Sequence, residues 1–280
     1  MNIGVDLGGT KIQVGLENNG IISNQTKALL TNKDSLSSTL DQVKTLIHPF
    51  VNSDVTGIGI GVPSVVDTEK GIVYNVTNIP SWEKVNLKDI LEAEFKLPVK
   101  VNNDVNCFVL GEHQFGQAKG FSSVVGMSAG TGLGAGLIMN NQLLTGHNCG
   151  AGEIGLLPYL DQNIEYYASG NFFSTFHGTS ALLAFEAAQK GDPQALAQWQ
   201  EFGKHFGKAV TCVLYGYDPE AIVIGGSLSK AFSFFEESMY ESLKDFIFPK
   251  SLNRLQIKVS NNENIALLGA AALINQKPHN

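Results

Sequence analysis

Apolar residues alternate with polar or glycine residues in several short segments, which is the pattern of a β-strand with one buried face. Two such segments, Ile3–Val5 and Ile12–Leu16, flank the pair Gly8-Gly9. Glycines between two alternating segments indicate a tight turn, so we expect a β-hairpin at the start of the chain. Further strands are predicted at Thr56–Val62, Pro98–Val101, Ser123–Met127, Gly134–Met139, Ala221–Ile224 and Leu255–Val259.

Helical spacing of apolar residues predicts the elements between these strands. Leu36, Leu40, Val43 and Leu46 recur at the spacing of an amphipathic helix. Further helices are predicted at Leu87–Phe95, Val105–Phe115, Phe172–Lys190, Pro193–Tyr217, Lys230–Phe246 and Ile265–Ile274. Because strands alternate with helices, the pattern indicates an α/β fold with mostly parallel pairing beyond each hairpin.

The strand–turn–strand unit at the start of the chain has a counterpart in the middle. Thr10 and Thr131 occupy similar places, each in a glycine-containing turn between two predicted strands. We therefore expect two α/β domains, one of residues 1–108 with 262–280 and a larger one of residues 109–261. A hinge is expected near Asn106–Gly111. The chain is expected to cross back from the second domain to the first near Asn261, so that the last helix packs on the first domain.

Composition and charge narrow the classes of function. Of 280 residues, 43% are hydrophobic and 16% are charged, which suits a chain with buried cores. The net charge of −7 argues against nucleic-acid binding, which needs a basic face. No apolar run is long enough to predict a membrane span, and the first residues do not form a basic or apolar leader. The three cysteines are far apart, so we expect reduced thiols and a cytoplasmic protein.

The two glycine turns are candidate phosphate-binding loops, because backbone N–H groups can approach an anion where no Cβ intervenes. Neither turn matches a P-loop or a dinucleotide-binding motif. A carboxylate beside a phosphate repels it unless a cation lies between them. Asp6 is therefore predicted to hold Mg²⁺, directly or through water, and Lys11 to add positive charge. An ordinary hairpin is the alternative for the turn alone.

Asp104 is the candidate catalytic residue, since it follows a predicted strand at the end where α/β proteins bind their ligands. It is flanked by Asn103 and Asn106. A carboxylate there can accept the proton of a hydroxyl that attacks a γ-phosphate. The alternative is a helix N-cap. Glu153 and Glu165 are candidates for binding vicinal sugar hydroxyls, with solvated loop acids as the alternative.

Several motifs follow one another along the chain: D-L-G-G-T-K, N-N-D-V-N-C-F-V-L-G-E, S-A-G-T-G-L-G-A-G-L-I-M-N-N-Q-L-L-T-G, G-A-G-E-I-G, E-Y-Y-A-S-G and D-P-E-A-I-V-I-G-G-S. Together they resemble the ROK family (repressors, open reading frames, sugar kinases). The resemblance implies an actin-like ATPase/ribonuclease-H-like fold of two α/β domains around a cleft. It also implies ATP-dependent phosphorylation of a hexose, with Mg²⁺, by a homodimer.

The resemblance also implies a role for each candidate residue. Asp104 would be the general base, and Asp6 would position Mg²⁺ through its water. The first phosphate loop would be Gly8, Gly9, Thr10 and Lys11, and the second Gly130, Thr131 and Gly132. The adenosine would be bound by Gly225, Gly226 and Ser227. Sugar hydroxyls would be bound by Asn103, Glu153 and Glu165.

The chain departs from the family pattern near the sugar site. Many relatives have a histidine after G-E-I-G, where this chain has Leu156, and a cysteine motif where Leu157–Ile164 contains none. We therefore expect no zinc and one hydrogen-bond partner fewer for the sugar. An apolar wall discriminates between sugars only about 10–200-fold. The family's Pro-Gly after the Thr56–Val62 strand is also replaced, by Pro63-Ser64.

The sequence thus predicts a Mg-ATP-dependent hexose kinase acting on the sugar 6-hydroxyl, glucokinase-like. Alternatives that stay open are a kinase of N-acetylglucosamine, N-acetylmannosamine, mannose or fructose, and one that uses polyphosphate as donor. A sugar-responsive repressor is disfavoured, because the chain begins at the kinase's first strand and is net negative. A non-catalytic sugar-binding protein is the alternative if Asp104 is not in place.

Overall fold

The computed structural model of the chain describes residues 1–76 and 78–276. The strands are β1 Asn2–Leu7, β2 Lys11–Asn18, β3 Ile21–Leu29, β4 Gly57–Val62, β5 Val65–Asp67, β6 Ile72–Tyr74, β7 Lys84–Val85, β8 Val99–Asn103, β9 Val124–Ala129, β10 Leu133–Met139, β11 Gln142–Leu144, β12 Pro158–Tyr159, β13 Gln162–Asn163, β14 Ala221–Gly225 and β15 Gln256–Val259. The helices are α1 Leu36–Ile47, α2 Leu87–Phe95, α3 Asp104–Phe115, α4 Ile164–Ala168, α5 Asn171–His177, α6 Ala181–Gln189, α7 Pro193–Tyr217, α8 Phe232–Leu243, α9 Pro249–Arg254 and α10 Ile265–Ala272.

The chain divides into two compact units. Unit 1 contains Met1–Lys119, Gln142–Ala151 and Asn261–Asn280, and unit 2 contains Gly120–Asn141 and Gly152–Ser260. The boundary expected after residue 108 falls inside α3, all of which lies in unit 1. The helix is continuous there because its buried face packs on α10, so the division of the chain comes after the helix ends.

The main sheet of unit 1 has the order β3-β2-β1-β4-β8. Strands β1 and β2 form the predicted antiparallel hairpin, whereas β1, β4 and β8 run parallel. The carboxyl ends of parallel strands meet at one edge of a sheet, and here that edge carries Asp6 and Asn103. In register, Asp6 lies opposite Gly61 of β4, and Asn103 lies opposite Val62.

Glycines let two helices of unit 1 pack at very short distance. A Cβ on Gly59 would lie 1.8 Å from the carbonyl oxygen of Ala270, so α10 rests directly on the glycine face of β4. Helix α3 meets α10 in the same way, because a Cβ on Gly269 would lie 1.7 Å from the carbonyl oxygen of Cys107. The close packing expected on the glycine-rich strand is therefore present, and α10 provides it.

Unit 2 repeats the arrangement of a hairpin followed by parallel strands. Its sheet includes β10-β9-β14-β15 in that order, with β9 and β10 antiparallel and β14 parallel to both β9 and β15. Helices α7 and α8 pack around a core of aromatic side chains, which are Phe173, Trp199, Phe202, Phe206 and Phe235.

Some elements differ from the sequence prediction. The single helix expected over Phe172–Lys190 is two helices, because Gly178 has φ +62° and Ser180 caps a new helix through its bond from the Leu183 N–H. Strand β3 was not predicted, since it is an edge strand whose side chains are mostly exposed.

Within residues 1–76 and 78–276, no helix has both the length and the apolar character that crossing a bilayer requires.

Candidate active site

Asp104 is the first residue of α3, and Asn103 is the cap that precedes it. The Asn103 Oδ1 accepts from the backbone N–H of Val105 at 2.8 Å and of Asn106 at 3.3 Å. Asp104 Oδ1 accepts from Val105 N at 2.9 Å. The N-cap alternative for Asp104 is therefore wrong, because Asn103 fills that place. The Asp104 carboxylate lies partly exposed in the first helical turn, where the helix dipole stabilises negative charge.

Asp6 lies at the same edge of the unit 1 sheet. Burial raises the pKa of the Asp6 carboxyl, while the nearby ammonium groups of Lys11 and Lys27 act in the opposite direction. Burial raises the pKa of the Cys107 thiol well above its usual value, and the negative charges of Asp104 and Asp6 raise it further. Asp6 pairs in register with Gly61, and a Cβ on Gly61 would lie 3.3 Å from the Asp104 Cα, so the two acidic residues lie in one region of unit 1.

The first glycine turn is a tight loop between β1 and β2. The Gly8 N–H donates to the Lys11 carbonyl at 2.9 Å, and Thr10 and Lys11 are exposed. Gly9 has a negative φ, so the backbone conformation does not require a glycine here. The position lacks room for a side chain, because a Cβ on Gly9 would lie 2.3 Å from the Asn78 Cβ. Asn78 therefore covers the loop, a contact that the sequence did not indicate.

The second glycine turn joins β9 and β10 in unit 2. The Gly130 N–H donates to the Gly132 carbonyl at 2.9 Å, and the Gly170 N–H donates to the Gly130 carbonyl at 2.7 Å. The Glu165 Oε2 accepts from the Leu133 N–H at 2.8 Å. A Cβ on Gly132 would lie 2.6 Å from that carboxylate oxygen, so glycine makes room for Glu165.

The predicted adenosine-binding residues lie beside this second turn. Gly225 ends β14 opposite Ser128 of β9. Gly226 has φ +81°, and its missing Cβ would lie 2.2 Å from the Ala129 carbonyl, so only glycine suits the position. The exposed Ser227 follows, with its Oγ 3.5 Å from the point that a Gly130 Cβ would occupy.

Glu153 and Glu165 form a pair of acids in unit 2. Burial raises the pKa of the Glu153 carboxyl, and the negative charge of Glu165 raises it further. Glu165 is in the first turn of α4, where the Asn163 side chain caps the helix by accepting from the Tyr166 N–H at 2.9 Å. Leu156, the residue that departs from the family pattern, has a side chain that is 60% exposed.

The segment predicted to lack zinc ligands folds as the short hairpin of β12 and β13. Tyr159 and His205 are hydrogen-bonded through the hydroxyl and Nδ1 at 3.0 Å, and Tyr167 donates to Asp161. Over residues 1–76 and 78–276, no group of three or more His, Cys, Asp and Glu side chains is arranged to hold a metal ion.

Three buried polar side chains near Asp104 were not assigned a function from the sequence: Asn102, Asn106 and Cys149. The Asn102 Oδ1 accepts from the Asn106 Nδ2 at 2.9 Å and from the Cys149 thiol at 3.4 Å. The run N-N-D-V-N indicated a polar cluster, but nothing in the pattern connects it to a cysteine far along the chain. This contact required the tertiary structure.

Each unit thus contains a set of groups suited to phosphate chemistry. Unit 1 combines a carboxylate at a helix start with a second acid and an exposed glycine turn. Unit 2 combines a glycine turn, an adjacent glycine-serine turn and a pair of acids. The predicted roles of the individual residues remain predictions.

Comparison with known proteins places these motifs in context. The model of the ROK family matches residues 2–277. A glucokinase from Thermotoga maritima is 29% identical, over 98% of this chain and 97% of its own. An N-acetyl-D-glucosamine kinase from Aliivibrio fischeri is 29% identical, over 98% of this chain and 99% of its own. A crystal structure of a ROK family glucokinase from Streptomyces griseus, in complex with glucose and AMPPNP, matches with a TM-score of 0.82 at 27% identity, covering 97% of this chain and 98% of that one.

Proposed function

The chain belongs to the ROK family and has the two-domain actin-like ATPase/ribonuclease-H-like fold of its sugar kinases, and we propose that it transfers the γ-phosphoryl group of ATP to the 6-hydroxyl of a hexose, with glucose as the first candidate. The observation that carries this proposal is the place of Asp104. Its carboxylate lies in the first turn of α3, held by the Asn103 cap, at the edge of the sheet that also carries Asp6.

Asp104 acts as the general base in this proposal. Its carboxylate takes the proton of the 6-hydroxyl as the hydroxyl oxygen bonds to the γ-phosphorus. The bond from that phosphorus to the β–γ bridging oxygen breaks, and ADP leaves with the bond's electron pair. A positioned base of this kind contributes about 10²–10⁴ in rate, and the remainder comes from orientation and charge neutralisation.

The donor is held by the glycine turns. The turns Gly8 to Lys11 and Gly130 to Gly132 are assigned to the phosphates, through backbone N–H groups other than those of Gly8 and Gly130, which are bonded within the turns. Gly225 to Ser227 are assigned to the adenosine. When bound, Mg²⁺ would neutralise phosphate charge. Asp6 suits this ion because Mg²⁺ is usually held by one or two carboxylates together with phosphates, and because burial makes an uncompensated charge on Asp6 unfavourable.

The sugar is assigned to Asn103, Glu153 and Glu165. The Asn103 Oδ1 is occupied by the cap, and its Nδ2 donates to the Ser64 carbonyl at 3.3 Å. Since an amide nitrogen carries two hydrogens, one remains to donate to a hydroxyl. Glu165 accepts one backbone N–H, and a carboxylate has further lone pairs for sugar hydroxyls.

An N-acetylhexosamine kinase is the second candidate. The exposed apolar side chain of Leu156 favours it, because it offers van der Waals contact to a methyl group and no hydrogen bond to a hydroxyl. Glucose, mannose, fructose, N-acetylglucosamine and N-acetylmannosamine, each assayed with Mg-ATP and with Mg-polyphosphate, separate the candidates by kcat/KM. We expect ATP to be the donor and glucose to be phosphorylated. Turnover of none of the sugars would refute the proposed function.

We include the remaining expectations in the proposal: the family resemblance implies a homodimer, and the sequence itself predicts a cytoplasmic protein that binds neither zinc nor nucleic acid. The absence of cysteine from Leu157–Ile164 and the presence of Leu156 support the statement on zinc. The net charge of −7 supports the statement on nucleic acid.

The contact between Gly9 and Asn78 gives a sharp test of the first phosphate loop. Gly9→Ala places a Cβ 2.3 Å from that of Asn78, so the loop must shift, and misplacement of about 1 Å can cost about 10²-fold in rate. We expect kcat/KM for ATP to fall by about tenfold or more. The double variant Gly9→Ala with Asn78→Ala should recover only part of the loss, because Asn78→Ala keeps the Cβ; adding Asn78→Gly instead should recover most of it.

Steady-state kinetics with ATP as the varied substrate measure these effects. Asn78→Gly alone is the matched control, and it fixes the activity that the double variant should approach. If Gly9→Ala is equally impaired with asparagine or glycine at position 78, the loss does not come from this contact.

A further inference from the structure

Beneath the turn that presents Asp104 lies a buried polar network. Its members Asn102, Asn106 and Cys149 are only 6%, 2% and 5% exposed. Buried polar side chains are costly unless their hydrogen bonds are made, so a network of this kind fixes geometry where it occurs. None of the three is among the residues assigned above to the sugar, the donor or the proton.

Asn102 is the centre of this network. Its Oδ1 accepts from the Asn103 N–H at 2.8 Å, from the Asn106 Nδ2 at 2.9 Å and from the Cys149 Sγ–H at 3.4 Å. The Asn106 Nδ2 also lies 3.6 Å from the Cys149 sulfur. One oxygen thus joins the end of β8, the first turn of α3 and the segment around Cys149.

The network holds the residues on both sides of Asp104 in the sequence. Asn102 and Asn103 precede Asp104, and Asn106 follows it, so both sides of the base are bonded to the same oxygen. Asn103 in turn caps the helix through Val105 and Asn106. A change at Asn102 therefore reaches Asp104 through the backbone on one side and through the helical turn on the other.

Cys149 connects the other two members of the network to the loop of unit 1 in which it lies. It has φ +57°, and the loop around it is closed by the Ala151 N–H, which donates to the Thr145 carbonyl at 3.1 Å. Along the chain the loop leads to Glu153, one of the acids assigned to the sugar. The thiol is the loop's side-chain donor to Asn102.

We infer that Asn102 is a positioning residue for phosphoryl transfer and that the Cys149 thiol holds it in place. The Asn102 oxygen fixes the turn that carries Asp104, and the thiol donor keeps the carboxamide oriented toward that turn. The inference rests on the proposed function for its kinetic consequence, while its structural consequence can be measured without activity.

Three variants test the inference by kinetics. Asn102→Leu keeps much of the volume and removes the acceptor, and we expect kcat to fall about 10–100-fold with the KM for ATP changed less than about threefold. Cys149→Ala should lower kcat about 3–10-fold, because only one of the three donors is lost. Cys149→Ser should restore it, since a hydroxyl also donates. Cys212→Ala, at a partly exposed cysteine in unit 2, is the matched control and should leave kcat unchanged.

Amide hydrogen exchange supplies the second readout. In Asn102→Leu and Cys149→Ala we expect the N–H groups of Asn103, Val105 and Asn106 to exchange about tenfold faster, with amides of the central strand β1 unchanged. If the parent phosphorylates no sugar, the proposed function fails and exchange alone decides the inference. Unchanged exchange at these amides would overturn it. So would a kcat within twofold of the parent in Asn102→Leu, or a loss in Cys149→Ala that serine does not restore.

Discussion

Asp104→Asn is expected to lower kcat for hexose phosphorylation by about 10²–10⁴, with sugar binding largely kept. Asparagine has nearly the same shape, and its Oδ1 can still accept from the Val105 N–H as the carboxylate does at 2.9 Å. The turn should therefore keep its geometry, while the group that takes the hydroxyl proton is lost. The effect should appear in kcat, because the proton moves only as the transition state forms.

Steady-state kinetics and calorimetric titration with the sugar measure the two parts of this prediction. Asp41→Asn, at an exposed position of α1, is the matched control and should leave both unchanged. Turnover at the parent's level in Asp104→Asn would show that another group is the base. Loss of sugar binding together with turnover would place Asp104 in binding and leave its role as base unsupported.

Gly59→Ala is expected to destabilise unit 1 by about 3 kcal/mol or more, at the upper end of the cost of overpacking a core. The added Cβ would lie 1.8 Å from the carbonyl oxygen and 2.7 Å from the carbonyl carbon of Ala270. Both are backbone atoms, so no side-chain rotation can relieve the clash, and α10 must move away from β4. Because α3 packs on α10, the turn that carries Asp104 should lose order too.

Urea-induced unfolding of the parent and variant, followed by circular dichroism, gives the change in the free energy of unfolding. Gly216→Ala makes the same substitution in α7 where, apart from the neighbouring residues and backbone of its own helix, no atom lies within 4 Å of the added Cβ. It should be neutral or stabilise by up to about 1 kcal/mol. Equal stability of Gly59→Ala and the parent would mean that α10 does not rest on β4 as described.

The parts of the fold that are set by local pattern were predictable from the sequence. The limits of α2 and α7 agree with the apolar spacing, and the first hairpin follows from alternation around Gly8-Gly9. Elements that form only through contacts with distant parts of the chain were not predicted. The edge strand β3 has no continuous apolar face of its own, and the small sheet β5-β6-β7 consists of very short segments.

The candidate site was predicted to the extent that its residues stand in recognisable motifs. The motifs predict Asp104 as the base and Asn103 as a sugar ligand. They do not predict that Asn103 is also the N-cap of α3, as the structure shows. The bond from Leu133 to Glu165 and the contact of Asn78 with Gly9 link residues that are far apart in sequence. Such pairings depend on three-dimensional packing, and a single sequence does not contain a local signal for them.

Unit 1 is assembled from segments that come before and after those of unit 2 in the sequence, and this has a consequence for biosynthesis. Until α10 has left the ribosome, the glycine face of β4 has nothing to cover it, whereas every segment of unit 2 has already been made. Domains generally fold as they emerge during synthesis. Unit 1 should therefore complete its fold after unit 2, and Asp104 should reach its working position only once α10 has emerged.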